Sequence, residues 1–465
     1  MNGWDELVAA ALVGTARRPP PAVPLPAVDV ADDPEAGALA GGAALGLYRQ
    51  AGWRPPVDPG PLPPPSPAED RPRCSPAAAE RLDAILDGRF RPVLREWLAL
   101  VAAAKQLVPP DRLPALLDLA TAAPSVREAA LAVIGHRGRW VAALNPPWAW
   151  AGAADGTRWT TGSRAARRLL LARIRAEDPD AARALVESTW TTESGEDRAV
   201  FVGALASGLS MADEPFLEAA LDDRRKEVRQ AAAELLWRLP ESRLARRMAA
   251  RARALVGPDL TITLPAEVDP AMVRDGVVAK PPAGTGARAW WLQQVIAATP
   301  LDVWPPEAVE HEPPPLLRRA WAAAAVRQGN VPWARALLAR GAWAEKPALL
   351  SALPHDEAQR VATDLVRRVG LVPAVLDLLD HCPPPWGTDL SRAVVTRVAE
   401  AAHQPGRPRG DAATLRARLG DLGARLDPAV DVAGLADVAP GWVDVVGWFL
   451  DLLAFRAGMR EELLW

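Results

Sequence analysis

The sequence predicts an all-α protein built of stacked helical pairs, and three observations carry that prediction. Apolar residues recur at spacings of three and four along most of the chain, the period of a helix buried on one face. Proline and glycine cut this pattern into short segments, so the helices are many and brief. Strand-like alternation is confined to LTITLP at 260–265. With 465 residues, 49% of them hydrophobic and 24% charged, the chain is long enough for two or three domains or one long repeat array.

Residues 1–70 hold two short helices, 4–16 and 35–50, followed by RPPVDPGPLPPPSP (54–67), where eight of fourteen positions are proline. Proline removes donors and fixes φ, so this stretch reads as an extended linker. From 71 to 256 helical segments follow closely: 76–87, 91–107, 111–121, 125–135, 163–176, 179–190, 196–209, 213–221, 224–239 and 241–255. The clearest of them is DEPFLEAALDDRRKEVRQAAAELLWRL (213–239), a hairpin of two helices. Asp213 is placed to cap the first helix, with Pro215 tolerated in its first turn. Asp222 and Asp223 end it and offer a cap to the second. There Val228, Ala231, Ala232, Leu235, Leu236 and Leu239 form one apolar stripe. With Asp223 five residues before Val228-Arg229, the pattern resembles a HEAT repeat, which makes the expected fold a HEAT-like α-solenoid. SVREAALAVIG (125–135) echoes EVRQAAAELLW (227–237), a separation that fits three repeats of about 34 residues. One such hairpin cannot bury its stripe alone, so its neighbours must stack on it.

Residues 257–286 lose the helical period and carry Pro265, Pro270, Pro281 and Pro282 with Gly284 and Gly286. They read as an extended linker. Residues 287–465 form a second helical block, with segments at 287–298, 306–310, 315–328, 332–340, 345–352, 355–369, 371–380, 389–403, 411–426 and 440–463.

Three pieces, ALVGTARRP (11–19), DEPFLEAALDDRRKEVRQAAAELL (213–236) and ARAWWLQQVIAATPLDVW (287–304), resemble an uncharacterised bacterial family known as a domain of unknown function. Genes of that family often lie beside those for a SWIM zinc-finger protein, a MoxR-type AAA ATPase and a von Willebrand A-domain protein. The resemblance implies a subunit of an ATPase-linked assembly. It supplies no catalytic residues.

Chemistry is sparse in the sequence. No GxxxxGK[ST], GxGxxG or HExxH occurs, and the five histidines (136, 311, 355, 381, 403) are scattered. His381-Cys382 lacks the second pair of ligands that zinc needs. Asp32-Asp33 and Asp222-Asp223 read as caps rather than acid–base pairs. Cys74 and Cys382 are far apart, which fits a reducing compartment. Leu7–Gly14 is too short to span a bilayer and lacks a preceding basic stretch. The expected location is the cytoplasm, with no membrane, metal or cofactor.

Two features are candidates for binding. Nineteen tryptophans stand against five phenylalanines and one tyrosine, and Trp140, Trp148, Trp150 and Trp159 crowd a Pro- and Gly-rich loop. Of these, Trp148, Trp150 and Trp159 are candidate surface anchors, with inter-repeat packing as the competing reading. Residues 224–253 hold ten Arg or Lys against three Glu, a local +7, and Arg243, Arg246 and Arg247 are candidates for a basic ridge. The competing reading is a solvated face inflated by codon usage, since only four of the 54 basic residues are lysine. Asp223, Val228, Arg229 and Leu235 are expected to hold the repeat together. A net charge of −3 gives no general argument for nucleic acid. The leading expectation is a non-enzymatic scaffold or adaptor for a protein partner, such as the AAA ATPase or the von Willebrand A-domain protein. The alternative is a HEAT-like nucleic-acid enzyme of the alkylpurine DNA glycosylase type, which would need Trp, Arg and a carboxylate converging in one groove.

Overall fold

A computed structural model describes residues 3–21, 33–51, 63–152, 159, 162, 164–311, 313–340, 346–405 and 408–463. Most of the proline-rich stretch falls outside them. Among the described residues, twenty-three α-helices together with short 3-10 turns bring helix to 67%. Among the described residues there is no strand, only the isolated bridges Arg73–Leu107 and Val256–Ile262. The second is all that becomes of the alternating LTITLP. The fold class is therefore all-α.

The chain divides into Met1–Pro65 and Ser66–Trp465. In the first unit α1 (Gly3–Val13) and α2 (Pro34–Ala51) pack together, burying Leu7, Ala10 and Ala38. Leu12, Val13, Leu39, Leu47 and Tyr48 stay exposed.

The second unit begins with α3 (Pro76–Leu86), α4 (Leu94–Ala103), α5 (Leu113–Ala122), α6 (Arg127–Leu131) and α7 (Gly135–Leu144). One helix was expected at 125–135, but the chain breaks there and restarts. Gly135 adopts φ 64°, a left-handed conformation that favours glycine, and a Cβ at this position would collide with the Glu69 carboxylate. That carboxylate accepts the backbone N–H groups of His136 and Arg137 at 2.9 and 2.8 Å, capping α7. The loop expected around Trp140 is instead part of α7.

Next come α8 (Arg164–Glu177), α9 (Pro179–Thr189), α10 (Gly195–Ala204), α11 (Glu214–Ala220), α12 (Lys226–Leu236) and α13 (Arg243–Leu255). Helices α8, α10 and α12 pack in file, with α9 beside α8 and α11 beside α12. Leu235 lies between them at 5% exposure, and Val228 is fully buried. Asp213 does not cap α11. It accepts the Ser210 N–H in a capping box while its side chain turns inward. Asp223 accepts the Arg225 N–H at 2.8 Å and an ion pair from Arg198 at 2.9 Å.

The echoed Val-Arg pairs do the same work in both copies. Val126 and Val228 enter the core. Arg127 donates to the carbonyls of Ala120 and Thr121 at the end of α5, and Arg229 to that of Asp223. At Arg127 the cation satisfies trailing carbonyls of α5 left without helical partners, and at Arg229 it holds the turn that follows α11.

Residues 257–286 are not simply extended. They carry α14 (Pro270–Arg274), and Met272 and Val277 enter the same core as the hairpins on either side. Beyond them α15 (Ala287–Ala297) presents Trp290 and Trp291. Both indoles are half-buried, donating to the successive carbonyls of Val278 and Ala279 at 2.9 and 2.8 Å. Then follow α16 (Pro315–Gln328), α17 (Val331–Arg340), α18 (Lys346–Leu350), α19 (His355–Val369), α20 (Pro373–Asp380), α21 (Thr388–Ala402), α22 (Asp411–Gly423) and α23 (Val443–Leu463). Trp304, Trp321 and Trp333 stack at 5.7 and 5.3 Å between ring centroids, which is packing between neighbouring helices.

Helix α23 carries apolar side chains on two faces, and each face is buried in a different core. Val446, Phe449 and Leu453 join the core shared with α8–α22, while Leu452, Met459 and Leu463 join the core of α3–α7. Glu96 on α4 ties the second contact, accepting from Arg456 at 2.5 Å and Arg460 at 2.9 Å, and Arg81 pairs with Glu462 at 2.7 Å. The last helix therefore rests on the first helices of the unit. No helix among the described residues is long and apolar enough to cross a membrane.

Candidate functional site

The three candidate tryptophans are turned inward. Trp148 is 9% exposed and donates to Asp118 Oδ1 at 2.8 Å. Trp150 is 5% exposed and donates to Thr121 Oγ1 at 2.9 Å, with the Arg127 guanidinium 5.1 Å from its ring centroid. Trp159 is 3% exposed and donates to Thr189 Oγ1 at 3.0 Å, between Phe201 and Arg167. Each of these three indoles has a partner for its N–H. Packing accounts for all three, and the expected exposed anchor is not what the structure shows.

The basic ridge is neutralised in part, at Arg243, Arg247 and Arg251. Arg243 grips Glu214 at 2.8 and 3.0 Å, and Arg247 pairs with Asp275 at 2.6 Å and Glu218 at 3.0 Å. Arg251 reaches Asp275 at 2.6 Å, and Arg274 reaches Glu218 and Asp222. The +7 was counted over 224–253, and all four of these acids lie outside that window. The Arg243 guanidinium holds the Glu214 carboxyl below its usual range, and Arg274 does the same for Asp222. Arg246, Arg224 and Arg253 stay exposed, with no ion pair among the described residues.

A feature that the sequence did not reveal lies between α6–α7 and α8. It is a cavity of about 330 Å³, within the range of small-molecule sites. Trp150, Ala151, Leu131, Leu169 and Leu170 give it an apolar wall, and Glu128, Arg139, Arg173 and Glu177 line its polar side. Arg139 is half-buried, and among the described residues its one hydrogen bond goes to the Leu131 carbonyl at a long 3.4 Å. Burial lowers its pKa, and the charges of Arg173 and Arg71 lower it further. Neither Arg139 nor Arg173 has a carboxylate within ion-pair distance among the described residues. Capping by Glu69 fixes α7 and so places Arg139 one turn in. No sequence window brings Glu69, Arg139 and Arg173 together, so only the fold could reveal the group.

Trp150, two arginines and the carboxylates of Glu128 and Glu177 thus share one cavity, although both glutamates are exposed. The thiols are not poised as nucleophiles at neutral pH: burial pushes Cys74 up to about 11 and Cys382 to about 12. Among the described residues no group of three or more His, Cys, Asp or Glu is arranged to hold a metal ion.

No curated protein and no solved structure matches the chain significantly. Residues 6–463 match the family described as Family of unknown function (DUF5691), and over that span, nearly the whole chain, the protein belongs to it.

Proposed function

We propose that the protein is a non-enzymatic scaffold that holds a protein partner on a HEAT-like α-solenoid, within a MoxR-type AAA ATPase system in the bacterial cytoplasm. The observation that carries this reading is the repetition of one device along the chain. Arg327 reaches the Ala297 carbonyl, Arg397 that of Val366 and Arg456 that of Leu426, at separations of 30, 31 and 30 residues. A constant interval between helix ends and the arginines that cap them suits a repeat array, and repeat arrays offer long surfaces for protein partners. The free, buried cysteines suit a reducing compartment.

The test uses the exposed, unmatched arginines. The protein is mixed with a MoxR-type AAA ATPase and a von Willebrand A-domain protein, the partners the family resemblance implies, and association is followed by interferometry. The expected result is saturable binding to one of them, slowed by Arg224→Glu, Arg246→Glu and Arg253→Glu together and less so as salt rises. No binding to either would overturn the assignment to this system.

A second reading, the alkylpurine glycosylase type, is favoured by the convergence of Trp150, Arg139, Arg173 and Glu128 on one cavity. It requires release of methylated bases from alkylated duplex DNA, lost in Glu128→Gln. A reaction indistinguishable from the protein-free control removes this reading.

A further inference from the structure

We infer that the cavity between α7 and α8 is a binding site for a small organic anion with an apolar body. The argument begins with charge. A guanidinium cannot shed its proton in a protein, so an arginine near a cavity is answered by an acid, by carbonyls or by solvent. Elsewhere on α8 the answer comes from this chain: Arg167 pairs with Glu193 and Arg175 with Asp213, both pairs out of solvent. Arg139 and Arg173 line one cavity near enough to feel each other's charge, and although Glu128 and Glu177 line it too, neither arginine has a carboxylate within ion-pair distance among the described residues. Bringing two like charges together at a partly desolvated site costs stability, and an anion placed between them reverses that cost.

The apolar part of the lining gives the other half of the ligand. Trp150 is held rigidly by Thr121 and Arg127, and Leu169 and Leu170 continue the apolar surface along α8. Planar guanidinium groups suit carboxylate or phosphate, and the apolar wall suits a hydrocarbon chain or ring. The class is therefore an amphiphilic carboxylate or monophosphate of medium size. This site does not depend on the scaffold reading.

Titration calorimetry of the full chain with octanoate, octyl phosphate and octanol tests this. Saturable one-to-one binding of either anion is expected, with octanol at least about tenfold weaker. Arg139→Ala with Arg173→Ala should weaken the anion about tenfold or more, while Arg173→Lys retains most of the binding. Ala172→Trp places an indole inside the cavity and should abolish binding; should that variant not fold, the exposed Arg173→Gln alone still has to weaken it. Failure of both anions to bind overturns the inference. So does equal affinity for octanol, or unchanged binding in the folded cavity variants.

Discussion

Helices α8 and α13 are near twins in composition, RAARRLLLARIRAE and RLARRMAARARAL, each with five arginines. Each matches three of the five to acids of this chain. On α13 these are Arg243, Arg247 and Arg251; on α8 they are Arg164, Arg167 and Arg175. The difference lies in where the remaining two sit. On α13, Arg246 and Arg253 point into solvent, where an unpaired charge costs little. On α8, Arg173 stands at the edge of a cavity facing Arg139, and Arg168 lies close enough to Arg127 to lower its pKa, burial lowering it more. A tally of charge would have chosen α13 as the binding face. Pairing chooses α8.

The matched side of α8 should show the largest effect. Arg175 and Asp213 are both 0% exposed, joined at 2.6 and 3.0 Å, and Asp213 also accepts from Arg183 and the Ser210 N–H. Asp213→Ala leaves a buried guanidinium without its anion and should cost about 3–5 kcal/mol. The urea midpoint should fall at constant slope. A loss under about 1 kcal/mol would mean that the neighbouring carbonyls of Leu205, Ser207 and Pro179 suffice, and the matched–unmatched distinction would lose its force.

Leu235 supplies the apolar reference. It sits at 5% exposure in the core shared by the stacked hairpins. Leu235→Ala should cost about 2–5 kcal/mol, by lost transfer energy plus the cavity left behind. A smaller cost than that of Asp213→Ala would rank ion pairing above packing at this joint.

The helices themselves were legible because a 3.6-residue stripe is a local property, and the 213–239 hairpin needed only its own residues to be read. Two things were not local. Helix α7 was read as loop because WVAALNPPWAW is rich in tryptophan and followed by proline, and its capping residue Glu69 lies 67 residues earlier. The pairing of Arg243 and Arg247 is not visible locally because Glu214 and Asp275 stand 29 and 28 residues from them, far outside one helical turn. The indoles of Trp148, Trp150 and Trp159 find their partners at a similar remove, 29 or 30 residues. These partners lie about 30 residues away in sequence, where a sliding window does not look.

Acid should separate the two regions. The Glu214 carboxyl is held down by Arg243 and the Asp222 carboxyl by Arg274. A carboxyl with a lowered folded pKa adds stability above its unfolded value, about 4.3 for Glu and 3.9 for Asp, and that contribution is lost as pH falls through the folded value. Amide exchange in 211–275 should therefore accelerate as pH falls below about 4, beyond the intrinsic pH dependence. The walls of the cavity, where arginine lacks acid partners, should change less. Uniform acceleration would erase the contrast.

The smallest effect is the sharpest test. Arg247→Ala removes contacts to Asp275 and Glu218 and leaves Asp275, itself 1% exposed, with fewer donors. With a third of the Arg247 side chain in solvent, the cost should be about 1–2 kcal/mol. Arg173→Ala removes no ion pair among the described residues and relieves Arg139 of a like charge, so stability should change by less than about 0.5 kcal/mol or rise. Alanine also favours the helix, which pushes in the same direction. Both variants differ from the parent by one arginine on an arginine-rich helix, so net charge is controlled. If Arg173→Ala destabilises as much as Arg247→Ala, Arg173 is paired in solution after all, and the cavity has no charge awaiting a ligand.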